Sequence, residues 1–262
     1  MIDPSSLDEP IQQLMRKVGT YILREFQHFD FSRVSYKGEK NPFTDVDVSA
    51  DNMLRGACSQ LIPGSDFINE ELGETATDAT YRWIIDPIDG TVNFMHGIPH
   101  FCISLALQKE GETIMGYIYQ PVSDEMFHAK IGEGAFLNGN PLSVSTRPEL
   151  QTAVVSTGFP YGTPAWKRDF LGMVMHVASQ IQGLRRMGSA ALDLAYVAAG
   201  RLDGFFEYKL NAWDVAAGGL IVKEAGGVVS DFSGEDNYIF SGELVASNPK
   251  IHTALLDALA GK

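Results

Sequence analysis

The sequence predicts a mixed fold, α+β in its first half and α/β in its second. An antiparallel sheet is expected N-terminally and a mixed sheet C-terminally. Three observations carry this. Between Phe101 and Ile131, apolar and polar residues alternate with a period of two, broken by Gly111 and by a turn near Ser123, as in successive hairpin strands. From Ala153 onward the texture changes to short apolar runs separated by helical patterns rich in small residues. The 262 residues, 45% hydrophobic and 20% charged, are ordinary globular material and enough to bury a large core. One domain over 1–262 is expected, with lobes of roughly 1–150 and 151–262.

Taken in order, Ile11, Leu14, Met15, Val18, Ile22 and Phe26 recur at helical spacing, so residues from about 7 to 28 form an amphipathic helix. Residues 37–42, with Gly38 and Pro42, read as a loop. Thr44 or Asp47 then caps a helix that buries Ala50, Leu54, Ala57, Cys58 and Leu61. A short strand in DFINEELGE ends on Glu70 and Glu71. Trp83, Ile84 and Ile85 read as a buried strand that ends on Asp86, because Pro87 offers no N–H for its continuation. Phe101–Gln108, Thr113–Gln120 and Glu125–Ile131 are the antiparallel strands, followed by GEGAFLNGNPL as a loop. AVVSTG is a strand, residues 163–182 a helix, LRRM a strand, and GSAALDLAYVAAG a helix closed by Gly200. DGFFEY, GVVSDF and LVASN are strands around the helix WDVAAGGLIVKEAGG, and Pro249–Leu259 is a closing helix.

The formal charge of −13 and pI near 4.8 argue against nucleic acid or an anionic membrane as the main partner. Cys58 and Cys102 lack metal-like spacing and read as reduced, buried small hydrophobes. The opening MIDPSSLDEP has no basic and apolar signal region, and no apolar run reaches the ~18 residues of a membrane span, so a cytoplasmic protein is expected.

The chemistry concentrates in WIIDPIDGTVNF. Asp86 and Asp89 stand on a tight turn, and the Gly90–Thr91 step opens a short helix or turn whose free N–H groups suit an anion. Glu70 and Asp214 also lie at the ends of elements, so four acids can converge. Two carboxylates at ~4 Å repel by about 4 kcal/mol at intermediate dielectric, so such a cluster implies bound cations. All-oxygen ligation points to Mg²⁺, with Mn²⁺ as a substitute, and two or more such ions suit phosphoryl chemistry. His96 and His100 are near but of the wrong ligand type. Asp86-x-x-Asp89 with a proline between does not match the Asp-x-Asp of aspartyl-phosphate enzymes, so direct attack by water is favoured. Gly188, Ser189 and Ala190 open a helix and offer N–H groups to an anion or hydroxyl.

WIIDPIDGTVNF together with NAWDVAAGGLIVKEAGG resembles the inositol monophosphatase family, and RRMGSAALDLAYVAAGRLDGFFEY is similar to its bacterial inositol-1-monophosphatase branch. The resemblance implies a layered αβαβα sandwich, a homodimer, and an Mg²⁺-dependent, Li⁺-sensitive hydrolase that converts myo-inositol 1-phosphate to inositol and phosphate. It implies metal binding by Glu70, Asp86, the Ile88 carbonyl, Asp89 and Asp214, with two or three ions. Glu70, and Thr91 paired with Asp47, would handle the attacking water. Gly90 and Thr91 would hold the phosphate, and Asp89, Gly188, Ser189, Ala190 and Glu207 would line the polyol site. Lys37, or alternatively Lys40, would be the loop lysine. Related fructose-1,6-bisphosphatase, nucleotide 3′-phosphatase and histidinol phosphatase activities are the alternatives. Arg185, Arg186 and Lys209 are candidates for a second substrate phosphate. The second class is a regulatory protein that binds other macromolecules.

Overall fold

A computed structural model describes residues 4–36, 42–71, 73–74, 79–159 and 164–261. The first half comprises α1 (Asp8–Gln27), β1 (Val34–Tyr36), β2 (Pro42–Thr44), α2 (Asp45–Leu61), β3 (Asp66–Asn69), β4 (Gly73–Glu74), β5 (Tyr81–Asp89), α3 (Thr91–Met95), β6 (Cys102–Lys109), β7 (Glu112–Gln120), β8 (Glu125–Lys130), β9 (Gly134–Leu137) and β10 (Asn140–Pro141). The second comprises β11 (Val154–Thr157), α4 (Pro164–Ala178), β12 (Gly183–Arg185), α5 (Ala190–Ala198), β13 (Gly204–Tyr208), α6 (Ala212–Glu224), β14 (Val228–Ser230), β15 (Glu243–Ser247) and α7 (His252–Leu259).

Two sheets are the backbone of the fold. The first has eight strands in the order β10-β9-β8-β7-β6-β5-β3-β4, and the second has five in the order β12-β11-β13-β15-β14. α1 and α2 cover the outer face of the first sheet through Ile11, Met15, Val18, Ile22, Ala50 and Leu54. α5 and α6 fill the space between the sheets with Ala, Leu and Val side chains. α4 and α7 cover the far face of the second sheet, where Phe170, Val174, Leu255 and Leu259 pack. The result is the αβαβα layering that the resemblance implied. The second sheet is mixed, with β11 parallel to both β12 and β13 and β15 antiparallel to its neighbours. Cys58 and Cys102 are free and buried. Among the described residues, no helix is long and apolar enough to cross a membrane.

The structure departs from the sequence reading in several places, each with a local cause. The first sheet is not wholly antiparallel, because β3 runs parallel to β5 with Asn69 opposite Ile85. Both strands therefore finish at the same edge, which is how Glu70 comes to lie beside Asp86. β5 does not stop at Asp86. Its pairing with β6 shifts between Asp86 and Asp89, so Pro87 falls at an irregularity where no ladder hydrogen bond is required of it. GEGAFLNGNPL is no simple loop: β9 pairs antiparallel with β8 inside it. The polar segment before α2 is flanked by the paired strands β1 and β2. The closing helix begins at His252, not Pro249, because Asn248 first builds a turn by accepting from Lys250 N at 2.9 Å.

One contact fixes how α6 sits on the first sheet. A Cβ at Gly116 of β7 would lie 2.8 Å from Ala217 O and 3.0 Å from Ala217 Cα, so helix and strand meet backbone to backbone. On the other side of α6, a Cβ at Gly218 would meet the Leu194 side chain of α5 at 2.6 Å. A helix rich in small residues is needed because it is gripped from both faces. We expect Gly116→Ala to destabilise the protein by about 1–3 kcal/mol, because the crowded atoms are main chain and cannot swing away. An unchanged urea midpoint would show that α6 is free to slide.

Candidate active site

A cavity of about 730 Å³ opens where the two sheets and the middle helices meet, and its lining includes Glu70, Asp86, Asp89, Thr91, Ser189, Asp193, Glu207 and Asp214. Asp86, Asp89 and Asp214 each bring one carboxylate oxygen to within 4.8 Å of the others. Glu70 stands outside that trio on the same cavity wall, near enough to act electrostatically on Asp86.

Each acid of the trio is held by hydrogen bonds. Asp86 Oδ1 accepts from Ile88 N at 2.9 Å, which tightens the turn around Pro87. Asp89 Oδ2 accepts from Ser189 Oγ at 2.6 Å and from Ala191 N at 2.7 Å. The start of α5 was expected to offer its N–H groups to a ligand. Part of that capacity already serves an anion of the protein itself, the Asp89 side chain. Asp214 occupies the third position of α6, where its Oδ2 accepts from Asn211 N at 2.6 Å in a capping box. Asp47 does the same for α2: its Oδ2 accepts from Thr44 N at 2.8 Å and from the Thr44 hydroxyl.

Asp47 turns its other oxygen to the site. Thr91 Oγ1 lies 3.3 Å from Asp47 Oδ1 and 3.0 Å from the Ile88 carbonyl, so its single proton has two acceptors. Gly90 precedes Thr91 with φ +95°, a left-handed conformation that glycine adopts without strain. A Cβ there would come within 3.0 Å of His100 O and 3.2 Å of Gly188 O, so the turn and the segment before α5 are in main-chain contact. Asn93 ties the same junction, donating to His100 O at 2.7 Å and to Met187 O at 2.9 Å.

Electrostatics follow from burial. Desolvation pushes Asp86 well above the ordinary carboxylate range, and Glu70, Asp89 and Asp214 push it further. Asp89 is raised by burial against the opposing pull of Ser189 and Ala191. Asp214 is pushed up to about 8 by burial and by Asp89. Glu207 is pushed up to about 8 by burial, then by Asp193 and Asp89, with Arg186 opposing. Asp47 rises to about 6 through burial, partly offset by Thr44. Three crowded carboxylates with no imidazole or thiolate in the trio fit a hard divalent cation, which would supply the missing positive charge.

Of the predicted site residues, Glu70, Asp86, Ile88, Asp89, Gly90, Thr91, Gly188, Ser189, Ala190, Glu207 and Asp214 all line the cavity. Asp47 reaches it through Thr91. Lys37 and its alternative Lys40 lie outside the described residues. Arg186 and Lys209 line the cavity, whereas Arg185 does not appear in its wall. His96 packs edge-on against Phe31 and His100 against Tyr196, and neither belongs to the acid trio. Asp193 escaped the sequence reading. It is 1% exposed, lines the cavity, and its Oδ1 has no hydrogen-bond partner. The available signal was a lone acid in the otherwise apolar run AALDLAYVA, four residues after Ser189.

The profile of the "Inositol monophosphatase family" matches residues 3–261. The chain belongs to the inositol monophosphatase family. It is a phosphoric monoester hydrolase of that family, a phosphatase. It is 42% identical to the inositol-1-monophosphatase of Mesorhizobium japonicum over 97% of this chain and 96% of that one. It is 43% identical to the Nus factor SuhB of Escherichia coli K12 over 92% of this chain and 91% of that one. The crystal structure of the extragenic suppressor protein suhB from Bartonella henselae superposes with a TM-score of 0.92 at 38% identity, covering 97% of this chain and 98% of that one.

The raised acids set a pH dependence for the cation-free protein. A carboxyl whose value is higher folded than unfolded binds more protons in the folded state, so stability falls as pH rises between the two values. Asp214 and Glu207 span this window from 3.8 and 4.5 respectively to about 8. The buried His100, His128 and His252 act in the opposite sense, but only up to 6.5. We therefore expect the melting temperature in EDTA to fall between pH 7 and pH 8. Saturating Mg²⁺ should flatten the slope. A profile in EDTA that rises over this interval would contradict the reading.

Proposed function

We propose that this protein hydrolyses the phosphate monoester of a small polyol, in the first place myo-inositol 1-phosphate, using Mg²⁺ and direct attack by water. The observation that carries the reading is the carboxylate trio of Asp86, Asp89 and Asp214, with the Thr91–Asp47 pair beside it in one cavity. Asp86, Asp89, Asp214, Glu70 and the Ile88 carbonyl would hold two or three ions, Mn²⁺ being an acceptable substitute. Bound Mg²⁺ supplies Lewis acidity toward the phosphate and lowers the pKa of bound water.

The chain's own groups do the rest. Thr91 donates its hydroxyl hydrogen bond to Asp47 Oδ1 or to the Ile88 carbonyl and keeps its proton, which leaves its oxygen lone pairs to accept a hydrogen bond from the attacking water. The ionised form of Asp47 is the stronger acceptor for the Thr91 hydroxyl. Glu70, on the same wall, faces the water from another side and is a second acceptor for its proton. The N–H groups of Gly90 and Thr91, at the start of α3, would hold the phosphate. The wall of Gly188, Ser189 and Ala190, with Asp89 and Glu207, borders the alcohol portion. Arg186 and Lys209 keep a bisphosphate substrate as the alternative, but Asp193 and Glu207 flank Arg186 with opposite charge. A homodimer and a cytoplasmic location belong to the same reading. Relatives named Nus factor SuhB give a reason to test a second, partner-binding role beside catalysis.

A phosphate-release panel with Mg²⁺ is the decisive experiment. Inositol monophosphates should exceed fructose 1,6-bisphosphate, adenosine 3′,5′-bisphosphate and histidinol phosphate in kcat/KM. Preference for a bisphosphate would overturn the choice of substrate, and no release from any monoester would favour the partner-binding class. Asp47→Asn should lower kcat by about 10²-fold or more, with far-ultraviolet circular dichroism unchanged. Normal turnover in that variant would remove Asp47 from the mechanism. Activity should also fall in tens of millimolar Li⁺.

A further inference from the structure

Glu207 lines the same cavity as the acid trio, and what holds its carboxyl there is unusual. β11 and β13 run parallel with Thr157 opposite Phe206, so Gly158 follows β11 at the point where Glu207 continues β13. A Cβ built on Gly158 would stand 2.1 Å from both carboxylate oxygens of Glu207 and 2.2 Å from its Cδ. The carboxyl therefore rests in the space that any larger residue at 158 would fill. The backbone gives no other reason for glycine, since Gly158 is not among the glycines with positive φ. Among the described residues no hydrogen bond holds the carboxyl either. Its charged neighbours include Asp193, Asp89 and Asp214, which repel it, and Arg186, which attracts it.

We infer that Gly158 is a positioning residue for substrate selection. The slot left by its missing side chain lets Glu207 present its carboxyl to the hydroxyls of a polyol phosphate, and closing that slot costs discrimination between polyol and simple alkyl or aryl esters. This rests on the reading of Glu207 as a substrate contact. The chemical logic is that a carboxylate accepts hydrogen bonds from two vicinal hydroxyls only when it is held at one distance from them. A side chain at 158 moves the flexible end of Glu207, not the strand, so the fold survives while the carboxyl shifts by about 1 Å or more to reach ordinary van der Waals separation. A displacement of that size at a substrate-positioning group can cost about 10²-fold in rate.

The test uses G158A, E207A and the double variant, each with saturating Mg²⁺, on myo-inositol 1-phosphate and on phenyl phosphate, which has no hydroxyl to offer. G158A should lower the ratio of kcat/KM for the inositol ester over the phenyl ester about tenfold, mostly through KM. E207A should lower it similarly, and combining them should add little, because the first acts only through the second. A wild-type ratio in G158A would overturn the proposal. So would full additivity of the two losses, or a crystal structure of G158A with the Glu207 carboxyl unmoved. E207A with a wild-type ratio would instead sink the reading of Glu207 as a substrate contact, and the proposal with it. Should G158A prove too unstable to assay, E207D retracts the carboxyl with Gly158 intact. It should show the same loss of ratio, and a wild-type ratio in E207D would overturn the proposal.

Discussion

Four acids at the cavity, Asp47, Asp86, Asp89 and Asp214, divide their two oxygens between two duties. One oxygen of Asp47, Asp86, Asp89 or Asp214 satisfies main-chain N–H groups at the end of an element. For Asp47 the other oxygen lies next to Thr91. For the other three, the hydrogen bonds likewise fall on a single oxygen, and the trio converges within 4.8 Å. This is how like charges are held together at all. Each is anchored by donors of a helix or turn that would otherwise be orphaned, within its own segment for Asp47, Asp86 and Asp214 and across to the start of α5 for Asp89.

The layers exist around this arrangement. Parallel pairing of β3 with β5 sends Glu70 and Asp86 to one sheet edge. The irregularity at Pro87 turns Asp89 toward α5, whose start receives it. Main-chain contact between Gly116 and Ala217 seats α6, so that Asp214 arrives from the middle layer. Small residues recur at these joints for a physical reason: close backbone approach leaves no room for a Cβ, and each ångström of separation between layers would open the trio.

Much of this was legible in the residues. The long amphipathic pattern of α1, the period-two strands β6 to β8 and the alternating texture of the second half follow from burial on one face or two. The acid turn was legible because Asp-Pro-Ile-Asp-Gly-Thr is chemically dense. Other features were hidden for identifiable causes. Pro87 normally ends a strand, but an irregular register removes the need for its N–H. β9 contains Gly134 and adjoins Asn138 with φ 48°, which read as loop because its pairing is set by β8, not by its own propensity. Asp47 and Asp214 each stand third in a helix, where an acid is expected merely as a cap. The cap and the site use one residue, so sequence position alone could not separate them. Asp193 and Gly158 act through packing across elements far apart in the chain, which no local pattern encodes.

The capture of Asp89 by the start of α5 has a consequence for assembly of the chain. Asp86 and Asp89 belong to the first sheet, the hydrogen-bonded support of Asp89 to the start of α5, and Asp214 to α6, so the trio closes only after the second half has docked. A partly folded chain with the first sheet alone has the acid turn but no complete nest of oxygens. Any divalent ion that prefers the closed trio binds the finished structure and not its precursors, and its concentration then adds to stability by mass action. In that sense the ion acts as a late proofreader of folding, favouring molecules whose two sheets have closed on the middle helices.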